Sequence, residues 1–355
     1  MVAKFDGAVG HLTDFRLLKS RMTDFKSKII AELKVLELLA VAETAGVFKA
    51  RSYASAIKQI KTWPPIRTLE DVPAAAKGDG IGKEIRIKIG KIIENGQLDI
   101  DPEARMRAYC FEAFQGIYGV GPKKAEDLIA AGYRSIADVR AALAANPKLL
   151  NRNQQVGLRY YEDIQERIPR AEMDEHAALL MSLKPASLEG TIVGSYRRGA
   201  ADSGDIDMLI RTASAEVDAG AALRDYVEAL RSAGYIREVL AQGDTKCLAV
   251  AGLPSPTANV PNAGSKMRRL DLLVTPPTQF PFAVFYFTGS DTFNVTVRQR
   301  ALDRGFTLNE HALTHLKSNT PVGGIRTERD IFVALRMAWK EPTERTGPEA
   351  VIGVE

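Results

Sequence analysis

The segment from Gly194 to Asp207 constrains the fold of this chain more than any other part of the sequence. It joins a glycine–serine turn and two arginines to the run Asp205-Ile206-Asp207, which leads into an apolar stretch. Strand alternation places Asp205 and Asp207 on one side of a sheet and Ile206 on the other. Two carboxylates on one side repel each other unless a cation lies between them. The segment therefore predicts a metal site beside an anion site, which the N–H groups and hydroxyl of the turn provide.

A third carboxylate supports this interpretation. Asp271 lies in the apolar run 268–274, where a buried acid needs a partner or a metal. Three carboxylates on adjacent strands can hold two Mg²⁺ ions roughly 4 Å apart, and Mn²⁺ can replace them. Such a centre beside a phosphate-binding turn is the apparatus of nucleotidyl transfer. Two solvated aspartates are the simpler interpretation of Asp-x-Asp alone, and the adjoining Gly-Ser-Tyr-Arg-Arg-Gly favours the metal site.

The bulk composition is that of a protein with several cores. A length of 355 residues exceeds one ordinary domain and indicates two to four units. No apolar run reaches about 18 residues, so neither a transmembrane helix nor a membrane partner is expected. The first residues lack the apolar core of a signal peptide. Cys110 and Cys247 are expected to be buried thiols in a reducing compartment.

The charge of the chain is unevenly distributed. The formal net charge is only +4, but the first hundred residues contain 17 Lys and Arg against 12 Asp and Glu. A basic N-terminal module suits a phosphate backbone. A solvated basic face explains the charge equally well, and the charge alone leaves both interpretations open.

Two similar glycine turns interrupt an N-terminal part that otherwise has helical periodicity. Each has the sequence Gly-apolar-Gly, at residues 80–82 and 119–121, and leads into a lysine-bearing helix. Glycine lets the backbone approach a phosphate, and helix N-termini favour anions. Two such turns indicate helix-hairpin-helix elements that bind DNA without reading its sequence. The candidate contacts are Gly80, Gly82, Gly119, Gly121 and Lys123.

The pattern changes to strands at about residue 185. Strand-like runs are expected at residues 189–193, 206–211, 247–251 and 270–274, with a helix over 216–233. A smaller mixed unit follows from residue 276, with helices near 292–304 and 328–339. The tail after Pro342 is expected to be loosely ordered. The fold class is therefore α+β in several domains.

Three further motifs complete the pattern. Residues 150–163 are Leu-Asn-Arg-Asn-Gln-Gln-Val-Gly-Leu-Arg-Tyr-Tyr-Glu-Asp, residues 167–170 are Arg-Ile-Pro-Arg, and residues 286–291 are Tyr-Phe-Thr-Gly-Ser-Asp. With these motifs, the chain resembles family X of the DNA polymerases from about residue 10 to residue 345. No additional N-terminal BRCT module is expected.

The resemblance implies four units. They are an N-terminal helical lyase domain (residues 1–97), a helix-hairpin-helix DNA-binding subdomain (98–166), a catalytic palm with a nucleotidyltransferase-type sheet (167–275) and a small α/β nucleotide-selection subdomain (276–355). It also implies template-directed filling of short gaps in base excision repair. A primer 3′-hydroxyl would attack the α-phosphate of a dNTP.

The resemblance assigns roles in the polymerase site. Asp205 and Asp207 would ligate both Mg²⁺ ions and Asp271 one, with Arg269 orienting Asp271. Arginine forks and small residues would hold the triphosphate, namely Arg167, Gly194, Ser195, Arg198, Ser203 and Gly204. The sugar and base would lie against Tyr286, Phe287, Gly289, Asp291, Asn294 and Arg298. The peptide bond between Gly289 and Ser290 is expected to be cis.

A second catalytic site is implied in the N-terminal domain. Lys88 matches the family's Schiff-base lysine, which attacks the C1′ aldehyde of a 5′-deoxyribose phosphate. Nearby cations are expected to lower its pKa, namely Lys83, Arg86 and Lys91. Lys49 and Tyr53 match the phosphate-binding and phenol positions of this pocket. A monovalent cation, K⁺ or Na⁺, is expected on carbonyls of the two glycine turns, at Ile81, Gln115, Ile117 and Val120.

The resemblance also implies partners. They are gapped or nicked DNA and dNTPs, with a monomeric chain that is nuclear in a eukaryote and otherwise intracellular. Four positions depart from the family pattern: Ile87, Leu273, Val295 and His311. Ile87 bears on the rate of the lyase step, and the others bear on subdomain closure and copying accuracy.

Two other classes of function fit part of the sequence. A template-independent or other nucleotidyltransferase could share the Gly-Ser and Asp-x-Asp core, but the turn at residues 241–245 is shorter than in family members that add without a template. A non-catalytic scaffold that binds DNA ends should have lost one of the three acids, and Asp205, Asp207 and Asp271 are all present.

Overall fold

The computed structural model describes residues 23–42, 46–73, 81–214, 217–254 and 265–354. The chain divides into two compact units, Met1–Leu158 and Arg159–Glu355. Gly80, predicted to contact DNA, lies outside the described residues.

The regular elements described in the first unit are helices. Residues at helical spacing form a shared core of the first three helices, which includes Ile29, Leu33, Ile60 and Ile89. The helices are α1 Lys26–Ala42, α2 Val47–Thr62, α3 Lys83–Asn95, α4 Pro102–Gln115, α5 Pro122–Ala130, α6 Ile136–Ala145 and α7 Arg152–Arg159, with a 3₁₀ turn at Leu69–Asp71.

Local signals in the sequence set the ends of these helices. Asp101 accepts a hydrogen bond from the Ala104 N–H at 2.8 Å and caps the start of α4. Pro122 occupies the first turn of α5, where its missing N–H costs nothing. Gly96 ends α3 with a φ of 79°, a left-handed conformation that glycine adopts without strain.

The second unit is built on a mixed sheet. Its strands are β1 Ile168–Pro169, β2 Leu188–Ile192, β3 Asp202–Ser203, β4 Ile206–Thr212, β5 Ile236–Gln242, β6 Lys246–Ala251 and β7 Arg268–Val274, followed by a small hairpin of β8 Phe306–Leu308 and β9 Leu313–His315. The five-stranded sheet has the order β2-β4-β7-β6-β5, and β1 pairs with β3 outside it. Only β4 and β7 are parallel neighbours in that sheet.

The helices described in the second unit are α8 Tyr161–Gln165, α9 Arg170–Leu183, α10 Gly194–Arg197, α11 Ala219–Ser232, α12 Phe280–Thr288, α13 Asp291–Asp303 and α14 Glu328–Ala334. Of these, α9 and α11 pack on one face of the sheet and α12 on the other, whereas α13 and α14 form a separate core with Phe282 and Phe285 of α12. Ile206, Met208 and Ile210 of β4 belong to the core that includes α9 and α11, whereas Leu209 packs with Ala283 of α12. Asp207 has the parity of Leu209 and therefore lies on the α12 face, as strand alternation predicts.

Three features differ from the sequence predictions. Strand β5 was not predicted, because two register shifts against β6 break its alternation. Helix α14 ends at Ala334, five residues earlier than expected. The tail after Pro342 is not loosely ordered where it is described, since Arg345 is fully buried and Gly353 forms a bridge with Met337.

The two cysteines agree with the prediction from composition. Cys110 and Cys247 are free and buried. Among the described residues, no helix has the length and apolar character needed to cross a bilayer.

Candidate active site

The register of two neighbouring strands brings two of the predicted acids together. Asp207 of β4 lies opposite Asp271 of β7, and Asp205 comes just before β4 begins. Burial, together with repulsion from Asp205 and Asp271, raises the pKa of Asp207 to about 7. Burial is also the main cause of the raised pKa of Asp271. The three acids are thus electrostatically coupled, and only nearby positive charge can keep them ionised together.

Two basic side chains supply part of that charge. Arg269 Nη2 donates to Asp205 Oδ2 at 2.5 Å, and Lys246 Nζ lies 3.8 Å from Asp271 Oδ2. The predicted contact of Arg269 is therefore wrong: its hydrogen bond is to Asp205 and not to Asp271. The arginine is long enough to reach the acid at the start of the neighbouring strand, while Lys246 of β6 approaches Asp271.

The acids suit a divalent cation as donors but are not assembled around one position. Carboxylate oxygens are the ligands that Mg²⁺ prefers. Within the described part of the chain, no three His, Cys, Asp or Glu side chains are arranged to hold a metal ion. Arg269 Nη2 holds one oxygen of Asp205, which is a predicted ligand. Ligation of a metal ion through that oxygen would need this hydrogen bond to break.

The glycine–serine turn lies directly against the acids. Gly194 has a φ of 64°, and a Cβ there would come within 3.1 Å of Asp207 Oδ2, so only glycine fits this position. Ser195 Oγ donates to Ser203 Oγ at 3.0 Å, which ties the turn to β3. The turn therefore brings main-chain atoms close to the carboxylate of Asp207.

A cleft of about 330 Å³ gathers most of the predicted nucleotide-binding residues. It is lined by Gly194, Arg198, Asp207, Tyr286, Phe287, Gly289, Asp291, Asn294, Val295 and Arg298. Four residues predicted for the triphosphate do not line it: Arg167, Ser195, Ser203 and Gly204. The structure therefore unites residues separated by about ninety positions, which sequence spacing alone could not show.

The wall from α12 and α13 is shaped by a backbone reversal. The Gly289–Ser290 bond is cis, as predicted, and Gly289 has a φ of 64°. Tyr286 and Phe287 meet edge to face, with ring centroids 5.3 Å apart. Asn294 Nδ2 donates to the Tyr286 carbonyl at 2.7 Å, and its buried Oδ1 has no hydrogen-bond partner. One N–H of the Asn294 amide is therefore bound to the backbone, and its Oδ1 is buried without a partner.

Arg167 is held by a neighbouring acid. Its Nε and Nη2 donate to Asp202 Oδ1 at 3.0 and 2.6 Å. A Cβ at Gly204 would lie 3.4 Å from Arg167 Nη1, so the guanidinium passes close to the backbone that precedes Asp205. Asp202, which the sequence analysis did not single out, fixes this direction.

A buried charge network behind the cleft was missed by the sequence analysis. Arg197 donates to both oxygens of Glu328 at 3.0 and 2.6 Å, and Arg345 donates to the same carboxylate at 2.6 Å. Arg197 and Arg198 also donate to the hydroxyl and carbonyl of Thr288, each at 2.6 Å. The turn that carries Gly194 is thereby fixed to α12 and α14. No local pattern identifies Arg345, because its partners are distant in sequence.

The first unit contains the predicted lyase and DNA-contact residues. Lys88 lies on α3, and Lys49 and Tyr53 lie on α2, which shares a core with α3. Lys88 Nζ is 4.0 Å from Glu84. Arg86, expected to act on Lys88, donates instead to main-chain carbonyls of the 3₁₀ turn and the residues after it, namely Leu69, Val72 and Pro73.

The glycine turns leave their backbone accessible. A Cβ placed on Gly82 or Gly121 would meet nothing within 4 Å. Gly119 has a φ of 82°, and its carbonyl accepts from Gln154 of α7 at 2.9 Å. Lys123 is exposed in the first turn of α5. Of the carbonyls predicted for a monovalent cation, that of Gln115 belongs to the last residue of α4, those of Ile117 and Val120 lie between α4 and α5, and that of Ile81 precedes α3.

Three protein-family models match the chain. They are the fingers domain of DNA polymerase lambda at residues 112–165, the DNA polymerase beta palm at residues 167–277 and the DNA polymerase beta thumb at residues 283–346. The palm match contains the three acids and the glycine–serine turn, and the thumb match contains most of the opposite wall of the cleft.

Two curated relatives are similar over most of the chain. DNA polymerase lambda of Rattus norvegicus is 30% identical over 343 residues, and DNA polymerase lambda of Arabidopsis thaliana is 30% identical over 312 residues. These alignments cover 92% and 83% of this chain and 57% of each relative. The chain belongs to family X of the DNA polymerases. The palm and thumb models that match are those of polymerase beta, while the fingers model and the two relatives are those of polymerase lambda.

Proposed function

We propose that this chain is a template-directed DNA polymerase that fills short gaps during base excision repair and also removes 5′-deoxyribose phosphate as a lyase. The observation that carries the polymerase assignment is the cleft where Arg198, Asp207 and Tyr286 converge. In this cleft Asp207 would bind a metal ion, Arg198 would bind the charged triphosphate of a dNTP, and Tyr286 would pack against its sugar.

The residues of the cleft divide the work of binding. Arg198, fixed by the Thr288 carbonyl, points its charge into the cleft where a triphosphate would lie. Tyr286 and Phe287 would pack against the sugar and disfavour a 2′-hydroxyl. Asn294 and Arg298 would face the base pair, where minor-groove acceptors common to all pairs report shape rather than identity.

Asp205, Asp207 and Asp271 would hold the divalent metal ions. When bound, Mg²⁺ lowers the pKa of the primer 3′-hydroxyl and neutralises the triphosphate. Asp271 would accept the hydroxyl proton, and Arg269 would release Asp205 as that carboxylate becomes a ligand. Lys246, near Asp271, adds positive charge on the same side.

The first unit would hold the DNA backbone. The open glycine turns at Gly82 and Gly121 and the exposed Lys123 suit contact with phosphates in either strand. Gapped or nicked DNA is the substrate that this arrangement favours, since a gap offers both a 3′-hydroxyl and a 5′-phosphate.

A primer-extension assay separates this proposal from a template-independent nucleotidyltransferase. The substrates are a duplex with a one-nucleotide gap and the same primer without template, each supplied with one dNTP at a time and Mg²⁺. We expect extension of the gapped duplex with the complementary dNTP only. Equal extension with and without template would contradict the proposal and favour template-free addition.

The lyase proposal rests on Lys88. Its neutral amine would add to the C1′ aldehyde, and loss of water would give an imine. Removal of a C2′ proton then breaks the C3′–O bond and releases DNA with a 5′-phosphate, and hydrolysis of the imine frees the lysine. Lys49 and Tyr53 would bind the phosphate and orient the sugar.

Borohydride trapping tests this assignment. A gapped duplex with a 5′-sugar phosphate is incubated with wild type, Lys88→Ala or Lys61→Ala, and borohydride reduces any imine to a stable cross-link. Lys61 is an exposed lysine on α2, the helix that shares a core with α3, and serves as the matched control. We expect Lys88→Ala to lose at least about 90% of the cross-linked product and Lys61→Ala to retain it. Undiminished cross-linking by Lys88→Ala would remove Lys88 from the nucleophile role.

A further inference from the structure

Arg268 makes a dense set of buried contacts at the start of β7. Its side chain is almost fully buried, and its Nε and Nη2 donate to the two oxygens of Glu172 at 2.6 and 2.8 Å. Its Nη1 donates to the carbonyls of Asp163 and Glu166 at 3.0 and 3.1 Å. The guanidinium of Arg268 therefore binds three residues of the segment from α8 to α9.

Neighbouring contacts fasten the same segment to β7. The Met267 N–H donates to Asp163 Oδ2 at 2.9 Å, and Lys266 pairs with Glu166. Because Arg268, Met267 and Lys266 are consecutive, the entry to β7 and residues 163–172 form one hydrogen-bonded block. A buried charge-assisted network of this kind holds its members rigidly.

Arg167 lies inside this block without being bound by Arg268 itself. It directly follows Glu166, whose carbonyl Arg268 holds, and precedes β1, which pairs with Ser203 and Asp202 of β3. Its guanidinium bonds Asp202 and passes the backbone of Gly204. The backbone on each side of Arg167 is thus fixed, by Arg268 at Glu166 and by the pairing of β1 with β3, and its guanidinium is held by Asp202.

We propose that Arg268 is a positioning residue that fixes Arg167 for contact with the triphosphate of the incoming nucleotide. The inference rests on the proposed polymerase function and deepens it. Arg268 is almost fully buried, so it would act through Arg167 and not by contact with the nucleotide. A lysine at position 268 carries the charge but cannot form the fork to Glu172 together with bonds to two carbonyls.

The test is a double-mutant cycle on gapped DNA with Mg²⁺. Wild type, Arg167→Ala, Arg268→Lys and the double variant are compared for kcat and for the KM of the complementary dNTP. We expect Arg268→Lys to raise this KM about tenfold, with kcat within about threefold of wild type. In the Arg167→Ala background the same change should add less than about twofold, since the residue through which it acts is gone.

Two further variants complete the design. Arg211→Lys is the control for the chemical change, because Arg211 also binds a carboxylate, that of Glu189, but on β4 far along the sheet from Asp207. Its KM should stay that of wild type. Glu172→Gln keeps the shape of the acceptor and removes its charge, so it should also raise the KM of the dNTP. This variant provides the test if Arg268→Lys does not fold.

The results separate the two proposals. An unchanged KM in Arg268→Lys, a loss confined to kcat, or full additivity with Arg167→Ala would overturn the role of Arg268. If wild type itself incorporates no nucleotide, the polymerase proposal fails. In that case, the Kd of dTTP with Mg²⁺ is measured by calorimetry for the same four proteins. The role of Arg268 then holds if Arg268→Lys weakens binding in the parent protein but adds less than about twofold in the Arg167→Ala background.

Discussion

Asp207 is a buried acid at a position where the fold alone would favour an apolar residue. Its side chain is on the face of β4 that leads to the cleft, and burial with two neighbouring acids makes its ionised form unfavourable. A structural core would place an apolar residue at this position, as it does at Leu209. The unfavourable charge is understandable if a divalent cation binds there during the reaction.

His176 lies in the core beneath the sheet and gives a test at the scale of one residue. It is fully buried, and its Nδ1 lies 2.8 Å from the Tyr235 hydroxyl. Burial lowers the pKa of His176 from 6.5 to about 4, against the attraction of Glu172. As the pH falls below 6.5, His176 takes up a proton in the unfolded chain but stays neutral in the folded chain. The free energy of unfolding therefore decreases until the pH reaches about 4, where the folded chain is protonated as well.

We therefore expect His176 to lower the free energy of unfolding by about 2.5 kcal/mol between pH 7.5 and pH 4.5. The measurement compares the parent protein with His176→Gln, which cannot take up the proton. Urea unfolding is followed by Trp339 fluorescence in a Trp63→Phe background, so that only the second unit is observed. From pH 7.5 to pH 4.5, the free energy of unfolding should decrease more in the parent protein than in His176→Gln. A difference between the two proteins that stays constant with pH would contradict the account.

The elements of the second unit were largely predictable where alternation is regular. Residues 206–212 alternate between two packed faces, so the strand and the face of Asp207 followed from sequence alone. Strand β5 escaped prediction because its register shifts remove that alternation. Its place at the edge of the sheet, where one side lacks a partner strand, also weakens the apolar signal.

Contacts between elements were the part that the sequence could not show. Arg345 sits in a tail that looked loosely ordered, yet its guanidinium lies 5.1–5.9 Å from the centroids of four aromatic rings and pairs with Glu328. Arg269 and Asp271 are two residues apart on one strand, but Arg269 donates its hydrogen bond to Asp205, which lies just before β4. Spacing assigns residues to a face and cannot choose among partners that the fold brings to that face.

At the scale of the whole molecule, the two steps that we propose fall in different units. The first carries Lys88 and the glycine turns, and the second carries the cleft with the three acids. The family motifs in the sequence predicted both sets of residues. The structure adds the geometry of the cleft. It also shows two buried networks: one around Glu328, which fixes the turn at Gly194, and one around Arg268, which fixes the start of β7.

The most direct test of the central claim is single-turnover incorporation into a one-nucleotide gap by wild type and by Asp271→Asn. The amide keeps the size of the side chain and removes the charge that would ligate a metal ion and accept the primer proton. The account predicts that incorporation slows by at least about 100-fold, while binding of the gapped duplex, measured by fluorescence anisotropy, changes by less than about twofold. Incorporation at the wild-type rate would contradict it.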